Sequence, residues 1–500
     1  MTAPGSRDSI GDAAHKTVVR IRRTACRFIE SYKGNPMSES VLDLVVVGCG
    51  AGGLATALQF LQSAPGGRVM VLERTSRAQR GGNTAWTGAF FRLTEDGSPA
   101  HDFVSRMMEL SEGKTDEAIV RRLAALARPT IQWLNDNGVA TKSDLTYFLT
   151  SKGPRLMPAG GGAAIVETFA ARVEELGGNI EYNTTAQDLI TDRGDVIGVE
   201  ALDSAGSKRR LLARTVVLAC GGFQGNPALL DHHLGGRGHE LSPIAPGGRS
   251  NRGEGIEMAT RAGADTDGQF DQFHGEPVDP RTGSAEALVM VYPYGILVDH
   301  EAQRFVDEAA DTPDNTFEAV AYKIWRDANQ YAYLIADQKL MRHDIARAVL
   351  TDRRPESALT LEALARRLDL DPQALADTVA RYNQAATPGP LELSSLDGIS
   401  TRGLVPAKSN WARPIDEPPY VAWPVTCAIT FTFGGLRTDE FARVLDAAGE
   451  PIPGLFAVGE VAGIYHHKYP GATSVLRALA FGRIAGQTAA HRIPNPTAVQ

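Results

Sequence analysis

Wholly apolar segments and segments with helix-period spacing fall in different regions of this chain. From Val41, VLDLVVVGCGAGGLATALQFLQ runs as a short apolar strand, a glycine turn and an Ala/Leu-rich helix. RVMVLER follows after a short loop and predicts a second strand closing on Glu73. Much later, TVVLACGGFQGN at residues 215–226 predicts another buried strand that ends in small residues. Near the C-terminus, IPGLFAVGEVAG predicts a strand ending at Gly459 and Glu460, and YPGATSVLRALAFGRIAGQTAAHR a glycine turn leading into a strong helix. The texture changes between about Gly268 and Pro414, where DNTFEAVAYKIWRDANQ and TLEALARRLDLDPQALADTVARYNQAA space Leu, Ala and Val at the helix period. Thr360 is placed as an N-cap of the second stretch, with Pro388-Gly389 beyond its end. Residues 388–418, rich in Pro, Gly and Ser, read as a return linker.

Gly48, Gly50 and Gly53 form GxGxxG between the first strand and its helix. The first glycine permits the sharp turn, the second lets backbone approach a pyrophosphate, and the third lets helix pack on strand. Amides at the helix start, beginning with Ala51, face the phosphates. Glu73, with Arg74 beside it, lies 20 residues beyond Gly53, where a carboxylate accepts ribose hydroxyls. A glycine turn in an ordinary α/β sheet is the plain alternative, but strand, glycines, helix, second strand and acid in register point to a nucleotide site. NAD and FAD both fit to this point.

The rest of the chain separates them. RGGNTAWTGAFFR places Gly81, Gly82, Asn83 and Thr84, then Thr87 and Gly88, where a long cofactor runs from pyrophosphate towards its redox ring. Ala186, Gly221 and Gly222 join the expected cofactor set. From the far end come Gly459, Glu460 for a ribityl hydroxyl, and the helix start at Thr473, Ser474 and Val475, whose positive dipole end suits a reduced flavin. A site drawing on both ends of the chain is wired for FAD. The expected class is therefore α/β, a Rossmann-like FAD-binding domain split into residues 41–267 and 416–493. An α+β domain at 268–415 is inserted, with an extension at 1–40 and a tail at 494–500.

Composition narrows the reading. With 500 residues, 51 Lys plus Arg against 59 Asp plus Glu, and 43% apolar residues, the chain is an ordinary globular protein and not a basic nucleic-acid-binding one. Cys26, Cys49, Cys220 and Cys427 form no metal spacing, haem attachment or disulfide framework, which suits a reducing cytoplasm. No run of 18 apolar residues spans a bilayer. The first forty residues carry Lys16, Arg20, Arg22, Arg23, Arg27 and Lys33, expected as a solvated extension or a basic surface helix.

VVVGCGAGGLATAL, ERTSRAQRGGNT, VVLACGGF, GILVDHEAQRFVDE, FTFGGLRTD and IPGLFAVGEVAG with its closing FGRIAG resemble the fumarate reductase/succinate dehydrogenase flavoprotein superfamily over residues 41–493. The resemblance implies that the inserted region is a capping domain, shutting water from a site of hydride transfer between flavin N5 and a substrate carbon. Three positions depart from fumarate reductases: Thr312 stands where the proton-donating Arg belongs, no His precedes the glycine pair in TFTFGG, and Tyr469 replaces a substrate-clamping Arg. The variant motifs resemble tricarballylate dehydrogenases, which implies oxidation of a carboxylate-bearing carbon pair. KYPGAT resembles 3-ketosteroid dehydrogenases, which implies that Tyr469 and the Gly471 amide hold a substrate oxygen.

On that basis His274 matches a substrate-binding histidine, against an ordinary loop histidine. Arg92 is expected to clamp a carboxylate or to serve a structural ion pair. Arg304 and Glu308 read as catalytic or as an ion pair bracing the cap. Asp311 is a candidate for proton transfer. Thr430, His466 and His467 are candidates for the flavin or substrate edge, Arg477 for substrate binding or packing, and Tyr292 and Tyr294 for a cap strand or the pocket lining. The expected partners are a small substrate bearing a carboxylate or ketone and an external electron acceptor or donor. No nucleic acid, metal or membrane span is expected.

Overall fold

The computed structural model describes residues 41–151 and 153–493; the basic extension expected at 1–40 and the tail at 494–500 lie outside them. The elements that frame the nucleotide side of the site include β1 (Leu44–Val47), α1 (Ala51–Ser63), β2 (Val69–Leu72), β3 (Asn179–Glu181) and β4 (Val216–Leu218). Further along, the elements that build the cap side of the site include β5 (Phe273–Val278), β6 (Ile296–Val298), α2 (Pro313–Asp327), β7 (Ala332–Ala336) and β8 (Tyr420–Thr432). Then come β9 (Arg443–Leu445), β10 (Pro451–Ala457) and α3 (Ser474–Ala490).

The first sheet has the order β9-β10-β4-β1-β2-β3. Its β10, β4, β1, β2 and β3 are mutually parallel and β9 is an antiparallel edge. The apolar run Leu44-Val45-Val46-Val47 is buried throughout, as a parallel sheet covered on both faces requires. β4 sits between β1 and β10, so Val216 is flanked by Val45 and Leu455 from opposite ends of the sequence. The helices repeat this meeting. A Cβ at Gly482 or Gly486 of α3 would press on the carbonyl oxygens of Gly52 and Thr56 in α1, so the glycines set a close crossing.

The second sheet is built on β8, whose 13 residues pair antiparallel with β7 and with β5. This strand follows the expected return at 416, so the cap sheet continues past the linker. A register shift between His274 and Gly275 marks a bulge in β5, a device that re-aims a side chain. The stretch from Thr360 forms two helices, Leu361–Arg367 and Pro372–Ala385. Thr360 caps the first through Ala363 N–H at 3.1 Å, while Asp371 caps a fresh start at Pro372 through Ala374 N–H at 2.8 Å. Among the described residues no helix is long and apolar enough to cross a membrane.

Candidate functional site

A pocket opens at the carboxyl ends of β1, β2 and β4, lined by the glycine turn from Gly48 to Gly52, Glu73, Arg74, the stretch Gly81 to Thr84, Ala186, Gly221, Gly459 and Glu460. Gly48 makes the turn at φ +108°, and its Cβ would strike Ala219. A Cβ at Gly50 would stand in the pocket itself, with Thr84 Oγ1 at 3.5 Å and the Gly81 oxygen at 3.6 Å as its nearest neighbours. Glu73 accepts Cys49 N–H at 3.2 Å and both Thr75 donors at 2.8 Å, which fixes its carboxylate at the end of β2. Thr84 accepts Ala51 N–H at 3.1 Å, tying the second glycine stretch to α1.

At the far end Glu460 accepts from Thr432 N–H at 3.1 Å, Gln224 at 3.2 Å and Asn251 at 3.1 Å. Its enclosure by the pocket walls pushes the carboxyl up to about 7, although these donors and Arg477 pull against that. Asn83 Nδ2 reaches the Thr430 carbonyl at 2.7 Å, while Asn83 Oδ1 and Thr430 Oγ1 are buried without partners. A glycine-lined cradle, an acid at each end and unfilled polar atoms between them fit FAD.

Beyond Thr430 lies a second cavity of 790 Å³, bordered by β8, the 469–475 turn, α2 and the loops around Tyr147 and Glu286. Tyr469 Oη accepts the N–H groups of Thr473 and Ser474 at 2.9 and 3.0 Å and donates to Ser474 Oγ at 3.1 Å, so it caps α3. His274 is buried, with Nδ1 2.9 Å from Glu318 and Nε2 3.2 Å from Glu276, and its ring lies 4.5 Å from that of Tyr469. Burial alone drives an imidazolium to lose its proton. The two carboxylates outweigh it and hold His274 up to about 10.

The FAD binding domain family matches residues 43–476. This chain belongs to that family. It is an FAD-dependent oxidoreductase with fumarate reductase relatives, such as the fumarate reductase (cytochrome) of Shewanella frigidimarina, 29% identical over 90% of this chain and 77% of that protein. The NADH:acrylate oxidoreductase of Vibrio harveyi is 27% identical over 74% of this chain, which spans only 36% of that protein's length. Among solved structures, the 3-ketosteroid-Δ4-(5α)-dehydrogenase of Rhodococcus jostii RHA1, in complex with 4-androstene-3,17-dione, superposes with a TM-score of 0.67. It is 27% identical over 92% of this chain and 99% of its own.

In this flavoprotein, several residues read from the sequence line the second cavity: Thr87, Arg92, His274, Asp311, Thr430, His467, Tyr469, Gly471, Ser474 and Val475. Arg92 approaches the Pro470 carbonyl at 3.4 Å and Asp102 at 3.6 Å. Asp311 accepts Thr312 N–H at 2.6 Å and so secures the start of α2, the place where the donor Arg is missing. His467, at φ +55°, lies 3.3 Å from Glu112. Gly53, Gly88, Gly222 and Thr473 line neither cavity and serve packing: a Cβ at Gly53 would overlap the Gly48 oxygen, and one at Gly222 would overlap Glu460.

Four expectations are corrected. Arg304 is buried against Glu308 at 2.6 Å and the Pro406 carbonyl at 2.7 Å, away from the cavity; it braces the cap. Arg477 donates to the Ala462 carbonyl at 2.8 Å and stacks 4.7 Å from the Tyr465 ring, inside the protein. Tyr292 and Tyr294 form a 3₁₀ turn instead of a strand, and both rings are cap core. Tyr294 Oη is spent on the Leu393 carbonyl at 2.7 Å. His466 sits 3.5 Å from Asp267 and does not border the cavity.

Several cavity residues lie outside the sequence reading, among them Tyr147, Arg155, Glu276, Glu286 and Glu318. Burial and neighbouring Arg92 push the Arg155 guanidinium down, and enclosure pushes Glu286 up to about 7. The alternation in PRLMP and the HGEPV sequence held the only local signals, and neither resembles a motif.

Proposed function

We propose that this flavoprotein dehydrogenates a CH–CH unit next to a carboxylate, in the manner of tricarballylate dehydrogenases, and passes the electrons to an acceptor outside the chain. When bound, FAD supplies a hydride acceptor at N5. The observation carrying this reading is the convergence of Arg92, Arg155, Tyr469 and Gly471 on one cavity that adjoins the cofactor pocket at Thr430. The guanidinium groups suit a carboxylate. Two helix amides polarise the Tyr469 hydroxyl, so its proton, given to Ser474 Oγ at 3.1 Å, becomes a stronger donor once it turns to a substrate oxygen. Such contacts acidify the carbon beside the activated carbonyl, and the Asp311 carboxylate on the cavity wall is the base that takes its proton as the hydride leaves the neighbouring carbon.

Dehydrogenation is favoured over reduction because Thr312, the N-cap of α2, offers only a neutral hydroxyl, a weaker acid than the Arg guanidinium of fumarate reductases. A ketone as the activating group is the second reading, supported by the ketosteroid dehydrogenase likeness and by Tyr469. The described cysteines are free, in keeping with a cytoplasmic setting. The test is anaerobic mixing of the yellow holoprotein with saturated carboxylic acids and ketones. Bleaching of the visible flavin bands by members of one class is the expected outcome; retention of colour with every compound, FAD still bound, would overturn the proposal.

A further inference from the structure

Most charges on the wall of the 790 Å³ cavity already have partners. Arg106 meets Glu109 at 2.9 Å, and Arg92 lies 3.6 Å from Asp102. His274 sits between Glu276 and Glu318 at 3.2 and 2.9 Å. Of the charges without an ion-pair partner, Asp314 and Lys468 are exposed and Asp311 accepts Thr312 N–H, which leaves Arg155 and Glu286. Arg155 has no carboxylate at ion-pair distance among the described residues, and Asp314 acts on it only from further away. Glu286 has no cation at ion-pair distance among them; its neighbours are neutral donors, Tyr147 Oη at 3.4 Å, the Thr87 hydroxyl and the Gly88 amide. A charge withdrawn from water without a counter-ion is costly, and a ligand that brings the counter-charge removes that cost.

The two groups occupy different ends of the wall. Phe91 bridges Leu156, which places Arg155 beside Arg92, whereas the Phe90 ring meets Tyr147 edge-on at 5.5 Å. Phe90 and Arg92, two residues apart in extended chain, are separated by about 7 Å. Glu286 lies in the left-handed region at φ +53°, an uncommon conformation for a non-glycine residue, and it borders the cavity.

We propose that the cavity takes a bipolar substrate, with a carboxylate on Arg155 and a hydrogen-bond donor, an ammonium or hydroxyl group, on Glu286 a few carbons away. This rests on the carboxylate reading above and sharpens it: the second pole repels another carboxylate, so a diacid of the same length is the wrong ligand.

The test titrates oxidised holoprotein with 5-aminopentanoate, 5-hydroxypentanoate and glutarate, chains of equal length that differ in one terminal group, and reads binding by calorimetry. A charge-assisted hydrogen bond against a like-charge contact predicts at least about 10-fold tighter binding of the amino acid than of glutarate. Glu286→Gln should erase that preference while the protein keeps its FAD and melting temperature. Tyr147→Phe, which leaves the carboxylate in place, should retain the preference. Arg155→Met should weaken all three ligands together. Equal or tighter binding of glutarate, a preference that survives Glu286→Gln, or no binding by any of the three overturns the bipolar site. A diacid that bleaches the flavin yet outcompetes the amino acid would remove this inference and leave the proposed dehydrogenation standing.

Discussion

The nucleotide cradle and the cavity under the cap are assembled by different means. The cradle is mostly backbone: glycines at 48, 50, 81 and 82 line it, and side chains enter chiefly as the acids Glu73 and Glu460. The cavity is mostly side chain, with His274 held between Glu276 on its own strand and Glu318 on a helix 44 residues further along. Backbone geometry follows from short segments, whereas an array of charges requires distant segments to arrive together. The two regions should therefore respond differently to substitution.

The largest effect is expected in the cradle. Gly53→Ala puts a methyl group onto the Gly48 carbonyl, so the turn must open and the purified protein should lose most of its flavin absorbance. Full retention of FAD by this variant would mean that the close approach is not needed. Next comes His274→Phe, which leaves Glu276 and Glu318 facing each other without a cation and should cost about 3–5 kcal/mol, read as a fall in melting temperature. Adding Glu318→Gln should recover part of the loss. With its pKa raised from 6.5 to about 10, His274 contributes stability that is complete below about 6.5 and is lost as pH climbs through about 10.

Glu460→Gln should have an intermediate effect, weakening FAD by about 10-fold as a charged acceptor becomes an amide among three donors. The carboxyl is raised from 4.5 to about 7, so its stabilisation is greatest in acid and disappears as pH rises through about 7. The variant's stability profile should lack that slope; an unchanged profile would place the titration elsewhere. The smallest expected effect is that of Tyr469→Phe, about 1 kcal/mol from the lost acceptor at α3, accompanied by a larger fall in the rate of flavin reduction by substrate. A variant equally destabilised but unimpaired in rate would reduce Tyr469 to a cap.

The same contrast explains what could be read in advance. The strand-glycine-helix unit at 44–63 is visible because each of its requirements is met within a few residues. The convergence of both chain ends was legible from the late strand closing on Gly459 and Glu460 and the glycine turn that leads into the last helix. Arg304, Arg477 and Tyr294 were misread as pocket residues because a short motif does not say which way a side chain turns. Arg155 and Glu286 escaped notice for the opposite reason: each lies in an unremarkable stretch and becomes meaningful only when the hairpin after Thr141 and the cap loop near Glu286 meet over one void.

The crossing of α1 and α3 at Gly482 and Gly486 also bears on the order of events during synthesis. A nascent chain holds only half a grip on adenine and riboflavin until the stretch from Val458 to Ala490 has left the ribosome. Flavin capture is accordingly a late step, and any polypeptide halted before that helix should emerge colourless however well its first domain has formed.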